Sequence, residues 1–467
     1  MARARIIACR QPLDLLARAI FAQALADCSI ERALWQKVNI ETAEDGMIRL
    51  TLGEGGVDLT SVEHVRIIAF GKAARTMLDA LLARLPLSAS CDLKGVLIAP
   101  APPAQLPQGF EFFAGGHPLP NEASFAGARA VLSMLSALPK VKAGVADTLC
   151  LFLVSGGASA MMELPLAPEV SLDDTIAFHL TLVHCGASIA EMNCVRKHFS
   201  AVKGGRLAVA AQGAECFSLF VSDVPSGHLD TIASGPTVPD TSTLAECREI
   251  LERYNLLERF PASVRQFFSS SDLPETPKPQ DLAMPSVMLL DANDLADAAR
   301  KHAEQLGFHA VIDNTCDDWD YRAASEYLLT RLRDLRREHP RACLISVGEV
   351  SVSTPNDGRL ASGTGGRNQH FALYTATQLE PNDAPIAVLS AGSDGIDGNS
   401  TAAGSVIDEH TLRSVGAAQE RNEQPRAGAQ AALEQFCSFP FLQSRGAIIT
   451  TGPTGNNLRD LRILLAE

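Results

Sequence analysis

Thr148-Leu-Cys-Leu-Phe-Leu-Val-Ser155 runs directly into Gly156-Gly-Ala-Ser159, and this stretch decides the fold class. Leu149 to Val154 is apolar at every position, with no polar alternation. A strand of this kind has protein against both faces, which is the condition of a parallel sheet covered by helices. The pattern recurs in Val65 to Phe70, Gly95 to Ala99, Phe217 to Val221, Val287 to Leu290, Ala342 to Ser346, Ile386 to Ser390 and Ala447 to Thr450. Helix-period segments alternate with these runs, among them Ala123 to Leu138, Asp294 to Gln305 and Arg322 to Arg337. The alternation predicts an α/β protein with parallel sheets.

At 467 residues the chain is too long for a single core. The proline-rich, polar segment 261–285 resists helix and strand and is the expected boundary between domains at 1–260 and 286–467. The longest apolar run, Leu149 to Val154, is far shorter than the ~20 residues that cross a bilayer. Arg10, Asp14 and Arg18 break up any secretory core, so Asp14 to Asp27 reads as an amphipathic helix and the expected location is cytoplasmic. Eleven cysteines without a Cys-x-x-Cys fit neither a disulfide framework nor a zinc site. A formal charge of −14 argues against a nucleic-acid partner and leaves any anionic ligand to local positive groups.

The loops at the strand ends carry the chemistry. In open α/β sheets, ligands bind at the carboxyl ends of strands, where small residues and helix N-termini let backbone N–H groups reach an anion. Ser155, Gly156, Gly157 and Ser159 suit a phosphate or carboxylate cradle, and equally a tight strand-to-helix turn. Gly71-Lys72 places an ammonium at another strand end, where it reads either as a surface lysine at a helix start or as a cation that balances the charge of a migrating phosphoryl group. Asn193, Arg196, Lys197 and Lys203 form a cationic segment that reads either as an anion site or as a solvated face. Gly363-Thr-Gly365-Gly366-Arg367-Asn368 opens a helix with a guanidinium fork suited to phosphate, or is a surface loop. Gly116-His117-Pro118 and Ser234-Gly-Pro-Thr237 read as rigid turns first, with an imidazole and hydroxyls that could contact a ligand. Asp223, Glu349, Asp394 and Asp397 stand at strand ends and can hold Mg²⁺ or act as a base, or equally be cap or turn residues. Ser390 to Gly404, with its two Asp-Gly pairs, lacks the ligand spacing of a calcium loop and is either a turn or a cleft loop.

Taken in order, these motifs resemble the glycerate 2-kinase family with a C-terminal MOFRL domain, whose relatives are often labelled hydroxypyruvate reductase. They run from Gly71-Lys72-Ala73 through Ser155-Gly-Gly-Ala-Ser159 and Gly363-Thr-Gly-Gly-Arg-Asn-Gln369 to Thr451-Gly-Pro-Thr-Gly-Asn456. The resemblance spans roughly Asp14 to Leu465. It implies a Rossmann-like three-layer N-terminal domain, a smaller α/β MOFRL domain and an interdomain cleft in which ATP and Mg²⁺ phosphorylate the 2-hydroxyl of D-glycerate. By resemblance Lys72 and Arg367 are the paired cations, with Arg196 or Lys197 on the glycerate carboxylate. Asp223, Asp394 or Asp397 then serves metal or hydroxyl. The chain departs from the family where acids give way to Gly227, His370 and Thr401, which leaves open another short hydroxy acid or a non-catalytic phosphometabolite sensor. A nicotinamide-dependent reductase needs a Gly-x-Gly-x-x-Gly turn, and the chain has none.

Overall fold

The computed structural model describes residues 11–138, 147–224, 229–282, 284–353, 363–413 and 423–467. Its contacts divide the chain into Ile30–Asp291 and a second unit that joins the stretch up to Ser29 to Ala292–Glu467.

The first unit begins with a small antiparallel sheet, β1 (Val38–Thr42), β2 (Ile48–Leu52) and β3 (Gly55–Asp58). Its main sheet comprises β4 (His64–Phe70), β5 (Asp92–Ala99), β6 (Phe110–Ala114), β7 (Thr148–Ser155), β8 (Glu215–Val221) and β9 (Ser286–Leu290). All pairings are parallel, in the order β6-β5-β4-β7-β8-β9. Every residue of β7 is buried, as the unbroken apolar run requires. Ile68, Phe70, Phe152 and Val154 share one face with Ala128, Val131 and Leu135 of helix Glu122–Ser136. The alternate residues Ile67, Ala69, Leu151 and Leu153 are equally inaccessible, so both faces are covered. The strand order reverses between β4 and β7, the switch point at which such sheets bind ligands. A satellite core of helices Leu172–Val183, Ile189–Phe199, Leu244–Arg253 and Ala262–Phe268 closes around Phe178, Phe199, Phe260 and Phe268.

The second unit holds β10 (His309–Ile312), β11 (Ala342–Val347), β12 (Ile386–Gly392), β13 (Gly404–Asp408), β14 (Ile448–Ile449) and β15 (Asp460–Ala466), in the order β10-β11-β15-β12-β13-β14. This sheet is mixed, not parallel as the alternation predicts. β15 lies antiparallel between β11 and β12, and β13 is antiparallel to β12. The chain's final segment therefore completes the centre of the sheet, which local periodicity does not foretell.

The contacts divide the chain differently from the single boundary expected at 261–285. Segment 261–285 is no free linker: Val264, Phe268 and Leu273 enter the satellite core, Pro277 accepts the Asp240 amide, and β9 joins the first sheet. The segment, expected to resist helix, opens as helix Ala262–Phe268 behind Pro261, and only its later prolines mark an extended but packed return. Helix Leu13–Asp27 belongs with the second unit, because Leu16, Ile20 and Ala24 at helical spacing bury one face while Arg18 donates to the Ile448 carbonyl (2.8 Å) and Asp27 meets His302 (2.8 Å). No helix among the described residues is long and apolar enough to cross a membrane.

Candidate active site

At the switch point of the first unit, the loops after β4 and β7 are knitted together. The Lys72 amide donates to the Gly156 carbonyl (2.9 Å), and the Ala73 amide donates to Ser155 Oγ (3.0 Å) just where helix Ala74–Leu82 begins. Gly156 passes so close to Asp223 that any side chain there would overlap the carboxylate. Gly157 has φ +77°, and a Cβ on it would meet His117 Cδ2 at 2.9 Å and Lys72 Cγ and Cε at 3.1 Å. Both glycines are thus fixed by what packs on them, and an exposed ammonium, an imidazole and a carboxylate surround one helix N-terminus. Burial, and then the charge of Lys72, lowers the pKa of His117 and favours the neutral ring.

The sequence presents His117 as part of a rigid turn whose imidazole could also contact a ligand; its place against Gly157 depends on a contact between loops far apart in the chain. Gly157→Ala is expected to cost about 1–2 kcal/mol of stability for the left-handed backbone and about tenfold in turnover through displacement of Lys72. Parallel melting and kinetic measurements check both.

Ser159 Oγ lies 3.0 Å from Ser234 Oγ, which donates to Asn193 Oδ1 (3.1 Å); Arg196 Nη1 donates to the same oxygen (3.4 Å). These residues extend the cradle. Arg196 keeps a buried Nε without a partner, so its guanidinium retains a donor for an anion. Lys197 and Lys203 do not join them. Lys197 is buried between Asp230 (2.9 Å) and Asp240 (3.1 Å), and Lys203 lies against Glu163 (2.6 Å), which also meets His179 (3.1 Å). Both lysines are structural counter-charges in the interior, where a lone ion is too costly to keep. The sequence shows four cations within eleven residues, Arg196, Lys197, Lys203 and Arg206; only the tertiary carboxylates separate those already neutralised from the others.

The second unit builds a distinct cluster. Arg367 donates from Nε and Nη2 to the two oxygens of Asp460 (2.5 and 3.2 Å) and pairs with Glu349 (2.8 Å). Burial opposes its charge, but Asp460, Glu349 and Asp397 outweigh that and raise its pKa. Asp460, buried at the start of β15, is not a residue that the sequence singles out, because that strand is not legible there either. Asp394 Oδ1 and Asp460 Oδ1 both border Gly392. Gly366 caps helix Arg367–Gln378, and Gly365 donates its amide to Asn399 Oδ1 (2.9 Å).

Asp397 is committed to the same helix end. It accepts the amides of Asn368 (3.1 Å) and Gln369 (2.8 Å), while Asn368 Oδ1 takes the Ser390 hydroxyl (2.6 Å). Its loop is therefore a turn that anchors a helix. Among the described residues, the oxygens of Glu349, Asp394 and Asp397 do not gather into one three-ligand group.

Burial raises the Asp397 carboxyl from 3.8 to about 7, against the amides that favour its charge. A raised carboxyl adds stability at low pH that is lost as pH rises through the folded value. The Asp397→Asn variant is therefore expected to gain on the wild type between about pH 4 and pH 7 in denaturation experiments; an unchanged difference across that window would contradict the assignment.

A family profile described as a domain of unknown function, DUF4147, matches residues 16–269, and that of the MOFRL family matches residues 342–460. The D-glycerate 2-kinase of Thermotoga maritima is 35% identical over 409 residues, 86% of this chain and 91% of that protein. The chain belongs to the glycerate 2-kinase family. The glycerate kinase of Rattus norvegicus is 30% identical over 463 residues, covering 86% of this chain and 84% of that one. A crystal structure of glycerate kinase from Thermotoga maritima matches with a TM-score of 0.79 and 31% identity, over 97% of this chain and 99% of that one.

Against the glycerate 2-kinase pattern, the departure at His370 falls in the core. Its ring stacks on Phe436 (5.2 Å between centroids) and meets Tyr321 edge-on (4.6 Å), and burial, then Arg322, lowers its pKa to about 4. Thr401 is an exposed bend residue, and Gly227 lies outside the described residues.

Proposed function

We propose that the protein transfers the γ-phosphoryl group of ATP to the 2-hydroxyl of D-glycerate. The observation that carries this reading is the Lys72 side chain, its methylene stem packed against Gly157 at the sheet's switch point beside the start of a helix, in a chain of this family. Phosphoryl transfer asks the protein mainly for positioning and for charge where negative charge moves. Lys72 and the amides at Gly156 and Gly157 are assigned to the phosphoryl oxygens, and Arg196, with its unpartnered Nε, to the glycerate carboxylate. Asp223, beside Gly156, is assigned the proton of the 2-hydroxyl.

Mg²⁺ neutralises phosphate charge when bound, and Asp394 is the carboxylate assigned to it, since magnesium needs only one or two protein oxygens besides phosphate. Asp397 is left out because its oxygens hold the helix end. Nothing in the kinase reading depends on the acids absent at His370 and Thr401, because one position is core and the other an exposed bend.

Arg367 is assigned to phosphate oxygens as well, which requires it to act beyond its ion pair. In Arg367→Ala the buried Asp460 carboxylate loses its partner, so stability is expected to fall by about 1–3 kcal/mol and kcat/KM by about 10- to 100-fold. Adding Asp460→Asn removes the orphaned charge. The pair of substitutions is expected to restore melting but not turnover; recovery of both would make Arg367 purely structural.

Steady-state ADP release with D-glycerate, ATP and Mg²⁺, run beside hydroxypyruvate with NADH and NADPH, tests the function. ADP formation that needs glycerate, with no nicotinamide oxidation, is the expected result. Nicotinamide oxidation without ADP formation would replace the kinase by a reductase, and binding without either reaction would make the protein a sensor.

A further inference from the structure

The satellite core of the first unit holds a second chemical constellation, apart from the cradle. Cys194 on helix Ile189–Phe199, His198 one turn later, and Cys247 on helix Leu244–Arg253 are all buried, and their ligand atoms lie within 4.8 Å of one another. Both ring nitrogens of His198 are occupied. Nδ1 meets the Cys194 carbonyl (2.8 Å) and Nε2 meets Glu275 (2.9 Å).

A ring that donates from both nitrogens is an imidazolium with no lone pair left for a metal, and a cation beside a thiol stabilises its thiolate. The second thiol differs in access. Cys194 lines a surface pocket of about 370 Å³ with Ala190, Glu191, Ser242, Glu246 and Arg253, whereas Cys247 is fully inaccessible behind it.

We propose that Cys194 and Cys247 form an oxidisable dithiol, a modification site whose reactant is a hydroperoxide. The Cys194 thiolate attacks the peroxide oxygen, the O–O bond breaks, and protonation of the leaving oxygen gives an alcohol or water and a sulfenic acid on Cys194. Cys247 then attacks the Cys194 sulfur; its proton leaves with the hydroxide as water, and the disulfide forms. Two thiol sulfurs are each oxidised by one electron and one peroxide bond is reduced by two.

The electrostatics agree with the assigned order. The hydrogen bond from Cys247 acts first on Cys194, burial opposes it, and His198 adds to it, so the Cys194 thiol is lowered to about 5. For Cys247 the same hydrogen bond, followed by burial, works in the other direction and keeps the proton on its sulfur. Burial works against the charge of His198, but Cys194 and Glu275 outweigh it and raise its pKa. An attacking thiolate at the pocket wall with a protonated partner behind it is the arrangement of an attacking and a resolving cysteine.

Cys150 and Cys216 supply an internal reference. They face each other across β7 and β8, but burial, reinforced by Cys216, raises Cys150, and no histidine contributes to its shift.

The test is a titration of the intact protein with hydrogen peroxide, a quench with N-ethylmaleimide, and a non-reducing peptide map. The Cys194 and Cys247 peptides are expected to appear linked roughly tenfold faster than any product at Cys150 or Cys216. In Cys247→Ser, dimedone is expected to trap a sulfenic acid on Cys194, and in Cys194→Ser, Cys247 is expected to stay reduced after peroxide and to be alkylated once the protein is denatured. The wild-type map decides by itself if either variant folds poorly. Oxidation of Cys194 no faster than that of the reference pair would overturn the proposal. So would one equivalent of zinc that co-purifies, shields both thiols from alkylation and is stripped by a chelator, since the cluster would then be a metal site.

Discussion

Lys72→Ala is expected to lower kcat for ATP-dependent phosphorylation of glycerate by about 10²- to 10³-fold, with unchanged melting. The ammonium is exposed, so its removal leaves no buried partner behind, while the amide that joins the two loops belongs to the backbone and survives the substitution. The loss should fall on kcat rather than on KM for glycerate, because the charge is needed most where the phosphoryl group moves. Lys72→Arg keeps the charge but spreads it over a planar fork, and it is expected to recover only part of the rate. A Lys72→Ala enzyme with near-normal turnover would remove this lysine from the chemistry and leave the glycine loops as simple turns.

Lys203→Ala is expected to destabilise the protein by about 3–5 kcal/mol, because it strands the Glu163 carboxylate in the interior. Glu163 is 0% exposed and Lys203 1% exposed, so no water can replace the lost partner. Burial alone would raise Glu163, but the charge of Lys203 and the hydrogen bond from His179 overcome it and hold the carboxyl at about 2.

A depressed carboxyl stabilises the fold above its unfolded value of 4.5 and loses that contribution as pH falls toward 2. The wild type should therefore lose stability across this acid window, and Lys203→Met combined with Glu163→Gln should flatten the loss while recovering most of the stability at neutral pH. Urea titrations at several pH values measure both. If Lys203→Ala instead left stability intact and raised KM for glycerate, the lysine would be a ligand after all.

The contrast between these two lysines shows how far the sequence can be read. Gly71-Lys72 and Ser155-Gly-Gly are legible because each comes directly after a strand, and strand ends are where a parallel sheet presents its loops. The class of the first sheet is equally plain, since Leu149 to Val154 admits no solvent face. Lys203 sits in an equally suggestive Lys-Gly-Gly motif, yet its partner Glu163 is forty residues away in the chain and nothing local announces the pairing. Asp460 is hidden for a similar reason: β15 closes the second sheet between β11 and β12, a pairing fixed by long-range register. His117 reads as a turn because its contact with Gly157 joins separate loops. His370, by its sequence a lost acid, is an aromatic slab against Phe436 and Tyr321. Motifs locate where chemistry can occur; burial and partners decide which of their charges remain to do it.

The position of the transferred phosphate tests the central claim most directly. In ³¹P NMR of the wild-type protein with D-glycerate and MgATP, the expected product carries its phosphate on carbon 2, and Lys72→Ala yields it only on prolonged incubation. A phosphate on carbon 3, or no phosphorylated glycerate at all from a folded protein, would contradict the account.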